Sequence, residues 1–286
     1  MPAIVPIALF IGFLVGIVVN LFADYLPAQR HYKLATTNPF GSHTIIAKPP
    51  TFLPCSDNGS LWPIWLWSGL IATSLRQPVG DSHNRRRIIT EIGMAAAFAA
   101  IAWRFSEIPN LPFLLFYAAA LALIVIIDVE NRWVFLETII PVGIVALVEA
   151  VLWPRSSLED TIRGGLYGFG ILFALYLFGL VFARVLGMVT GRQVGRTVLG
   201  FGDVYIGSLG GLIIGKQFLG LSLLIMVLTG AIAALILITN RWLRTKRYRL
   251  YSAIPYGPYI VIGTVAMLYV PEMVGDIVRR ILNWPF

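Results

Sequence analysis

Eight apolar runs punctuate this sequence, each close to the length a helix needs to cross a bilayer. A membrane-spanning helix takes about 20 mostly apolar residues, within roughly 17–25. Runs of that kind fall at 3–23, 88–105, 112–128, 134–153, 164–186, 199–218, 220–240 and 253–270. In hydrocarbon every backbone N–H and C=O must find a partner within the chain, and a helix meets that demand by itself. The expected fold is therefore all-α, a polytopic membrane helix bundle with about eight transmembrane helices. Composition agrees: 58% of residues are hydrophobic and 13% charged, against about 25% charged in a soluble domain. Pro109 and Pro112 mark a short turn between the second and third runs, and a tight connection is expected at 218–220.

Three regions follow. Residues 1–26 form a first transmembrane helix, retained because nothing before Asp24 is charged and the basic start of a secretory signal is missing. Residues 27–87 form a cytoplasmic loop, and 88–286 a membrane domain with seven transmembrane helices. Inside the loop, Leu61–Leu75 is short for a span and contains Trp62, Trp65 and Trp67. Tryptophan favours the membrane interface, so this run reads as an interfacial or re-entrant piece. With the N-terminus outside, sixteen Lys and Arg fall on the inner side and six on the outer, the bias of cytoplasmic loops. That placement accounts for the net charge of +8 with lipid, not nucleic acid, as the partner. Arg241–Arg249 reads as a headgroup anchor, Tyr256 and Tyr259 pack near the inner face, and His31, His43 and His83 are solvated in the loop.

Aspartate in an apolar run is costly and marks function by default. Asp128 ends the run Leu121–Ile127, and Asp203 opens the sixth run within Leu199-Gly200-Phe201-Gly202-Asp203. Under the threading above, both lie at the inner ends of their helices. Two close carboxylates can share one proton, because like charges resist double ionisation. The ionised member can then act as base on a water while the protonated member donates to the carbonyl under attack. Gly200 and Gly202 permit close backbone approach at that point. The plainer reading is that each aspartate is solvated, or favoured at a helix N-terminus. Glu91 and Glu149 read as paired with neighbours or lining a groove.

Leu199-Gly200-Phe201-Gly202-Asp203-Val204, followed by Leu209-Gly210 and Leu212, resembles the Gly-x-Gly-Asp signature of the type IV prepilin peptidases, which are membrane aspartic endopeptidases. Ile127-Asp128-Val129-Glu130-Asn131, with Pro141 thirteen residues after the aspartate, resembles their other catalytic segment. Ile254-Pro255-Tyr256-Gly257-Pro258-Tyr259 is similar to the opening of their last helix. Asn20, Leu26 and Pro27 match the end of the first, and Arg85–Arg87, Glu91 and Trp103-Arg104-Phe105 fit the second. The resemblance runs in order over nearly the whole chain. It implies Asp128 and Asp203 as catalytic residues, Gly200 and Gly202 as active-site backbone, and no cofactor. It also implies an inner-membrane, multi-pass location. The implied substrate is a prepilin-like protein whose short basic leader precedes an apolar helix, cut at the cytoplasmic face, with Glu130 useful near the basic leader.

Three departures stand out. Tyr205 replaces the Lys usual two residues after the second aspartate, and Phe135-Leu136 stands where the family has Leu-Pro or Ile-Pro. Bifunctional members hold zinc with two Cys-x-x-Cys pairs in the loop, whereas this loop has Cys55 alone. A tetrahedral zinc site needs four ligands, so no metal is expected and N-methyl transfer is put in doubt. Tyr205 and the degenerate loop favour, as the alternative, a weak or inactive relative acting in pilus or secretion assembly. A proton-coupled transporter would show paired broken spans in two similar halves, which the sequence lacks. Reporter fusions after Arg196 and Arg249 should report cytoplasm, and one after Asp160 the exterior. An exterior signal at Arg249 would overturn the threading.

Overall fold

A computed structural model describes residues 4–37, 50–52, 67–70, 81–190, 200–245 and 255–282. Leu199, Ile254, Cys55, His43, most of Leu61–Leu75 and residues 246–249 lie outside the described residues, as do the side chains of His83, Arg241 and Arg244. Among the described residues the regular elements are all helices: α1 (Ile4–Thr37), α2 (Asp81–Phe105), α3 (Leu111–Asn131), α4 (Leu136–Leu152), α5 (Leu158–Thr190), α6 (Phe201–Ile214), α7 (Lys216–Thr245), α8 (Gly257–Tyr269) and α9 (Pro271–Leu282).

The all-α polytopic bundle expected from the apolar runs is what the chain forms. Among the described residues α1, α2, α3, α5 and α7 are long and apolar enough to cross a membrane. α8 and α9 make a sixth span if they are one helix broken by a 101° bend. Among these residues the count of eight is not confirmed: α4, with 17 residues, is at the lower limit for a span, and α6, with 14, is below it. The membrane assignment also explains the surface. Leu166, Phe178 and Val181 on α5 are each more than half exposed, which is costly in water and natural against lipid.

The helices fall into two compact units, Met1–Trp133 and Val134–Phe286. In the first, α1 packs along α2 and both touch α3. Gly12 and Gly16 stand one turn apart on α1. A Cβ on either would press on the α2 backbone, at Met94 and Ala95 or at Thr90 and Glu91. Small residues at this spacing let membrane helices approach closely. Ala8, Met94, Phe98 and Ala102 form the core of the unit. The helix α1 does not stop at residue 26 but continues through Pro27 to Thr37. Thus the polar stretch after the first span begins as helix. The turn at Pro109 and Pro112 is present: Leu111 N donates to Ile108 O at 3.1 Å, and Pro112 sits in the first turn of α3, where its missing N–H is not needed.

The second unit is built around α6. At 1.5 Å per residue this helix is about 21 Å long, short of the roughly 30 Å hydrocarbon core. It is enclosed instead, touching α4, α5, α7 and α8. Its face toward α5 is glycine on both sides. A Cβ on Gly164 would meet Gly211, one on Gly168 would meet Gly207, and the reverse substitutions collide with Gly164 or with Leu172. Ser208 Oγ donates across this seam to Gly165 O at 3.1 Å. The break after α6 falls at Gly215, with φ 75°, and not at 218–220, because only glycine takes that left-handed conformation cheaply. Near that end, Arg155 grips the buried Glu149 with two bonds of 2.7 and 2.9 Å and donates to Ile213 O at 3.2 Å. Glu149 is therefore paired, as its position in an apolar run requires. The amphipathic α9 was not expected from the sequence, whose last run ends at 270.

The glycine seam makes a prediction. Gly168→Leu should lower the melting temperature of the detergent-solubilised protein, with an overpacking cost of about 1–3 kcal/mol. Gly179, with no atom near its Cβ position, should accept Ala with no loss and a gain of up to roughly 0.5–1 kcal/mol. Equal behaviour of the two variants would show that the seam is not tight.

Candidate active site

The second-unit part of the candidate site is the start of α6. Gly200 is the N-cap, with φ −82° and ψ 153°. Asp203 N donates to Gly200 O at 3.1 Å, and Gly200 N donates back to Asp203 Oδ2 at 2.9 Å. The aspartate thus satisfies an orphan donor of the helix entrance, in the manner of the third residue of a capping box. Negative charge is favoured at that end of a helix. Asp203 is buried, 7% exposed, so the carboxylate is held in a fixed pose within the protein. The solvated reading of Asp203 fails here, and the helix N-terminus reading holds.

The two glycines of the motif do different things. A Cβ on Gly202 would press on Val134, 2.6 Å from its Cγ2, so close approach requires glycine there. Gly200 has ordinary extended backbone, and its Cβ position has nothing nearer than Asp203 Oδ2 at 3.5 Å. Local geometry thus leaves room for a side chain at 200.

Tyr205 is two residues past Asp203, which on a helix means nearly opposite faces. Its ring sits edge-on to Phe201 at 5.0 Å, and Phe201 in turn meets Tyr176 at 5.5 Å and Phe173 at 6.2 Å. The residue standing in place of the family's lysine has joined an aromatic cluster between α5 and α6.

In the first unit, Asp128 lies in the last turn of α3 and is 5% exposed. Its main-chain O accepts from Arg132 N at 2.8 Å, and Arg132 takes φ 55° to close that turn. Among the described residues no other non-glycine has positive φ. Glu130, on the same turn, accepts from Arg86 Nη1 at 3.0 Å. It is thus engaged within the protein, which qualifies its expected use toward a basic leader. Arg86 Nη2 and Arg87 Nη2 both reach Asp24, at 2.5 and 2.8 Å.

One turn up α2, the fully buried Glu91 accepts from Ser68 Oγ at 2.8 Å, Gly69 N at 2.8 Å and Leu70 N at 3.3 Å. Asn20 Nδ2 stands 3.5 Å from Glu91 and 3.1 Å from Arg87 O. Sequence reasoning anticipated a paired Glu91 but not its partners, nor the ion pairs of Arg86. A signal existed in Asn20, a polar residue inside an apolar run. His31 is exposed, as expected, although it lies on α1, and its ring lies 4.6 Å from that of Trp133, beside the guanidinium of Arg30. Among the described residues no three His, Cys, Asp or Glu side chains converge as a metal site.

Asp203 has a role in the fold that can be separated from any chemistry. Asp203→Asn keeps an oxygen to accept from Gly200 N and should change stability by less than about 1 kcal/mol, whereas Asp203→Leu loses the acceptor and should cost about 0.5–2 kcal/mol. Thermal unfolding in detergent measures both, and a melting temperature for the Asn variant as low as that of the Leu variant would refute the capping role.

Comparison with known proteins bears on what this arrangement serves. The chain is 25% identical to the prepilin leader peptidase/N-methyltransferase of Stutzerimonas stutzeri over 280 residues, covering 93% of this chain and 91% of that one. It is 24% identical to the protein of the same name from Pseudomonas aeruginosa over 295 residues, 97% and 93% of the two chains. A third of that name, from Pseudomonas putida, is 27% identical over 187 residues, 65% of this chain. No family model matches the chain, and no solved structure matches it. The likeness to the first two spans nearly the full length of both partners, so the chain is similar end to end to proteins named prepilin leader peptidase/N-methyltransferase.

Proposed function

We propose that this protein is a membrane aspartic endopeptidase that removes the basic leader of prepilin-like precursors at the cytoplasmic face of the inner membrane. The observation that carries the proposal is the end-to-end likeness to relatives named for prepilin processing, together with the ordered motifs around Asp128 and Asp203. In this reading the two aspartates supply the two carboxylates that metal-free hydrolysis needs. The ionised one takes a proton from water as that water attacks the scissile carbonyl carbon. The protonated one gives its proton to the carbonyl oxygen; on collapse of the tetrahedral intermediate the first aspartate passes the proton it took from water to the departing nitrogen, the second takes back a hydroxyl proton, and the amine end of the mature protein is released.

Burial supports these roles, because water excluded from around a carboxylate strengthens its interactions with the reacting group. Gly202, pressed against Val134, fits a backbone element that a side chain would push out of place. The substrate's apolar helix would lie in the bilayer, where the exposed apolar faces of this protein also lie. Loss of the loop cysteines favours peptidase activity without zinc and without N-methyl transfer.

The alternative, an inactive assembly component, draws on Tyr205: its ring is committed to the cluster with Phe201, and no lysine stands at that position.

The test is cleavage of a co-expressed prepilin-like precursor. Asp128→Asn and Asp203→Asn should each abolish cleavage while the proteins accumulate normally, since Asn can neither take up nor release the proton. The double variant should be no worse than either single one, as for groups acting as a unit. Asp→Glu at either position should also fail, because moving a carboxylate by about 1 Å misplaces the attacking water. Full cleavage by Asp203→Asn would refute the enzyme reading and favour the assembly component.

A further inference from the structure

Arg86 lies near the start of α2 and spans two other helices with one guanidinium. Nη2 meets Asp24 Oδ1 on α1 at 2.5 Å, and Nη1 meets Glu130 Oε2 on α3 at 3.0 Å. The planar fork of arginine can face two carboxylates at once, which a lysine ammonium on a flexible stem does less well. The Arg86 side chain is 13% exposed and Asp24 29%, while Glu130 is 38% exposed, so the Asp24 pair is the better shielded of the two from the screening that weakens surface ion pairs. The footing of Arg86 is fixed as well. Thr90 Oγ1 bonds Arg86 O at 3.0 Å, Asn20 bonds Arg87 O, and Arg87 takes the second oxygen of Asp24 at 2.8 Å.

Glu130 is two residues beyond Asp128, and α3 ends at Asn131. The last turn of a helix frays when nothing holds it. Here it is held from both sides, by the left-handed Arg132 that closes onto Asp128 O and by the Arg86 link to Glu130. A left-handed arginine costs roughly 1–2 kcal/mol, so this closure persists only where surrounding contacts enforce it.

We propose that Arg86 is a positioning residue that acts through Glu130 to fix the turn presenting Asp128. The proposal rests on the reading of Asp128 as catalytic. Arg86 does not itself touch substrate; it restricts where the carboxylate can sit. Displacement of a reacting group by about 1 Å can cost 10²-fold in rate, so loss of the link should appear in kcat and not in substrate affinity.

The cleanest variant is Glu130→Gln, which weakens the link to the Asp128 turn and leaves the Arg86–Asp24 pair in place. In detergent-solubilised protein cleaving a prepilin-like precursor, kcat should fall by roughly 10–100-fold with KM within a factor of about 2. Arg86→Lys should behave similarly, and Arg86→Gln combined with Glu130→Gln should be no worse than Arg86→Gln alone, since both act through one link. Unchanged kcat in Glu130→Gln, or a rise in KM alone, would overturn the proposal.

A second measurement does not depend on activity. With Cys55→Ser, a nitroxide on Val129→Cys, half-exposed on the same turn, should show a sharper spectrum when Glu130→Gln is added. An unchanged spectrum refutes the positioning role. If the protein cleaves nothing, or Asp128→Asn cleaves fully, the peptidase reading has failed, and the nitroxide alone decides whether Arg86 holds the turn.

Discussion

Hydrocarbon offers no partner to a polar group, and the buried glutamates Glu91 and Glu149 are arranged around that fact. In water, Glu91 or Glu149 would be solvated for nothing. In a bundle set in lipid, each must bring its partners with it, at a desolvation cost of several kcal/mol if it fails. Glu149 meets the fork of Arg155. Glu91 gathers a hydroxyl and two main-chain N–H groups from residues 68–70, so the one carboxylate also pins a short piece of the loop to α1 and α2. Polar groups that would destabilise an isolated helix thereby become the fixed points that determine which helices lie together.

Where polar bonds do not specify the contact, small residues do. Lipid tails are as apolar as leucine, so association of helices in a membrane gains little from the hydrophobic effect and relies on close packing. Gly12 and Gly16 serve α1 against α2, and Gly164, Gly168, Gly207 and Gly211 serve α5 against α6. The second seam encloses a helix too short to span the bilayer. Within it Asp203 is buried, although Phe201 beside it is 39% exposed.

Much of this was legible in the chain and some of it was not, for identifiable reasons. Run length revealed the helices, and the prolines at 109 and 112 revealed the turn between α2 and α3. Run length failed at α6 because the sixth run was carried across Lys216 and Gln217 to 218; a single left-handed glycine ends the helix just before that polar pair. It also failed at α9, whose polar and apolar residues alternate around the helix and never form a run. The extension of α1 past Pro27 was hidden because a proline and a polar composition ordinarily end a span, yet a proline removes only one helix bond. Asp128, Asp203 and Glu91 stood out as charges in apolar surroundings. The partners of Arg86 did not, because bonds to Asp24 and Glu130 across 62 and 44 residues leave no trace in local pattern.

The helix-entrance geometry of Asp203 removes an apparent conflict between its plain and its catalytic reading. A carboxylate that caps a helix is commonly taken as explained by that role, with nothing left for chemistry. Yet the two demands fall on different properties. Capping needs an oxygen acceptor at a fixed place, and the bond from Gly200 N to Oδ2 supplies the fixing. Acid–base work needs a group that can exchange a proton, and it gains from being fixed, since an ordered carboxylate need not reorganise as the reaction proceeds. Asparagine meets the first demand and not the second. The same contact that makes Asp203 look structural is therefore what would make it a prepositioned base or acid, and the two roles separate only when the proton is removed from consideration and the oxygen is kept.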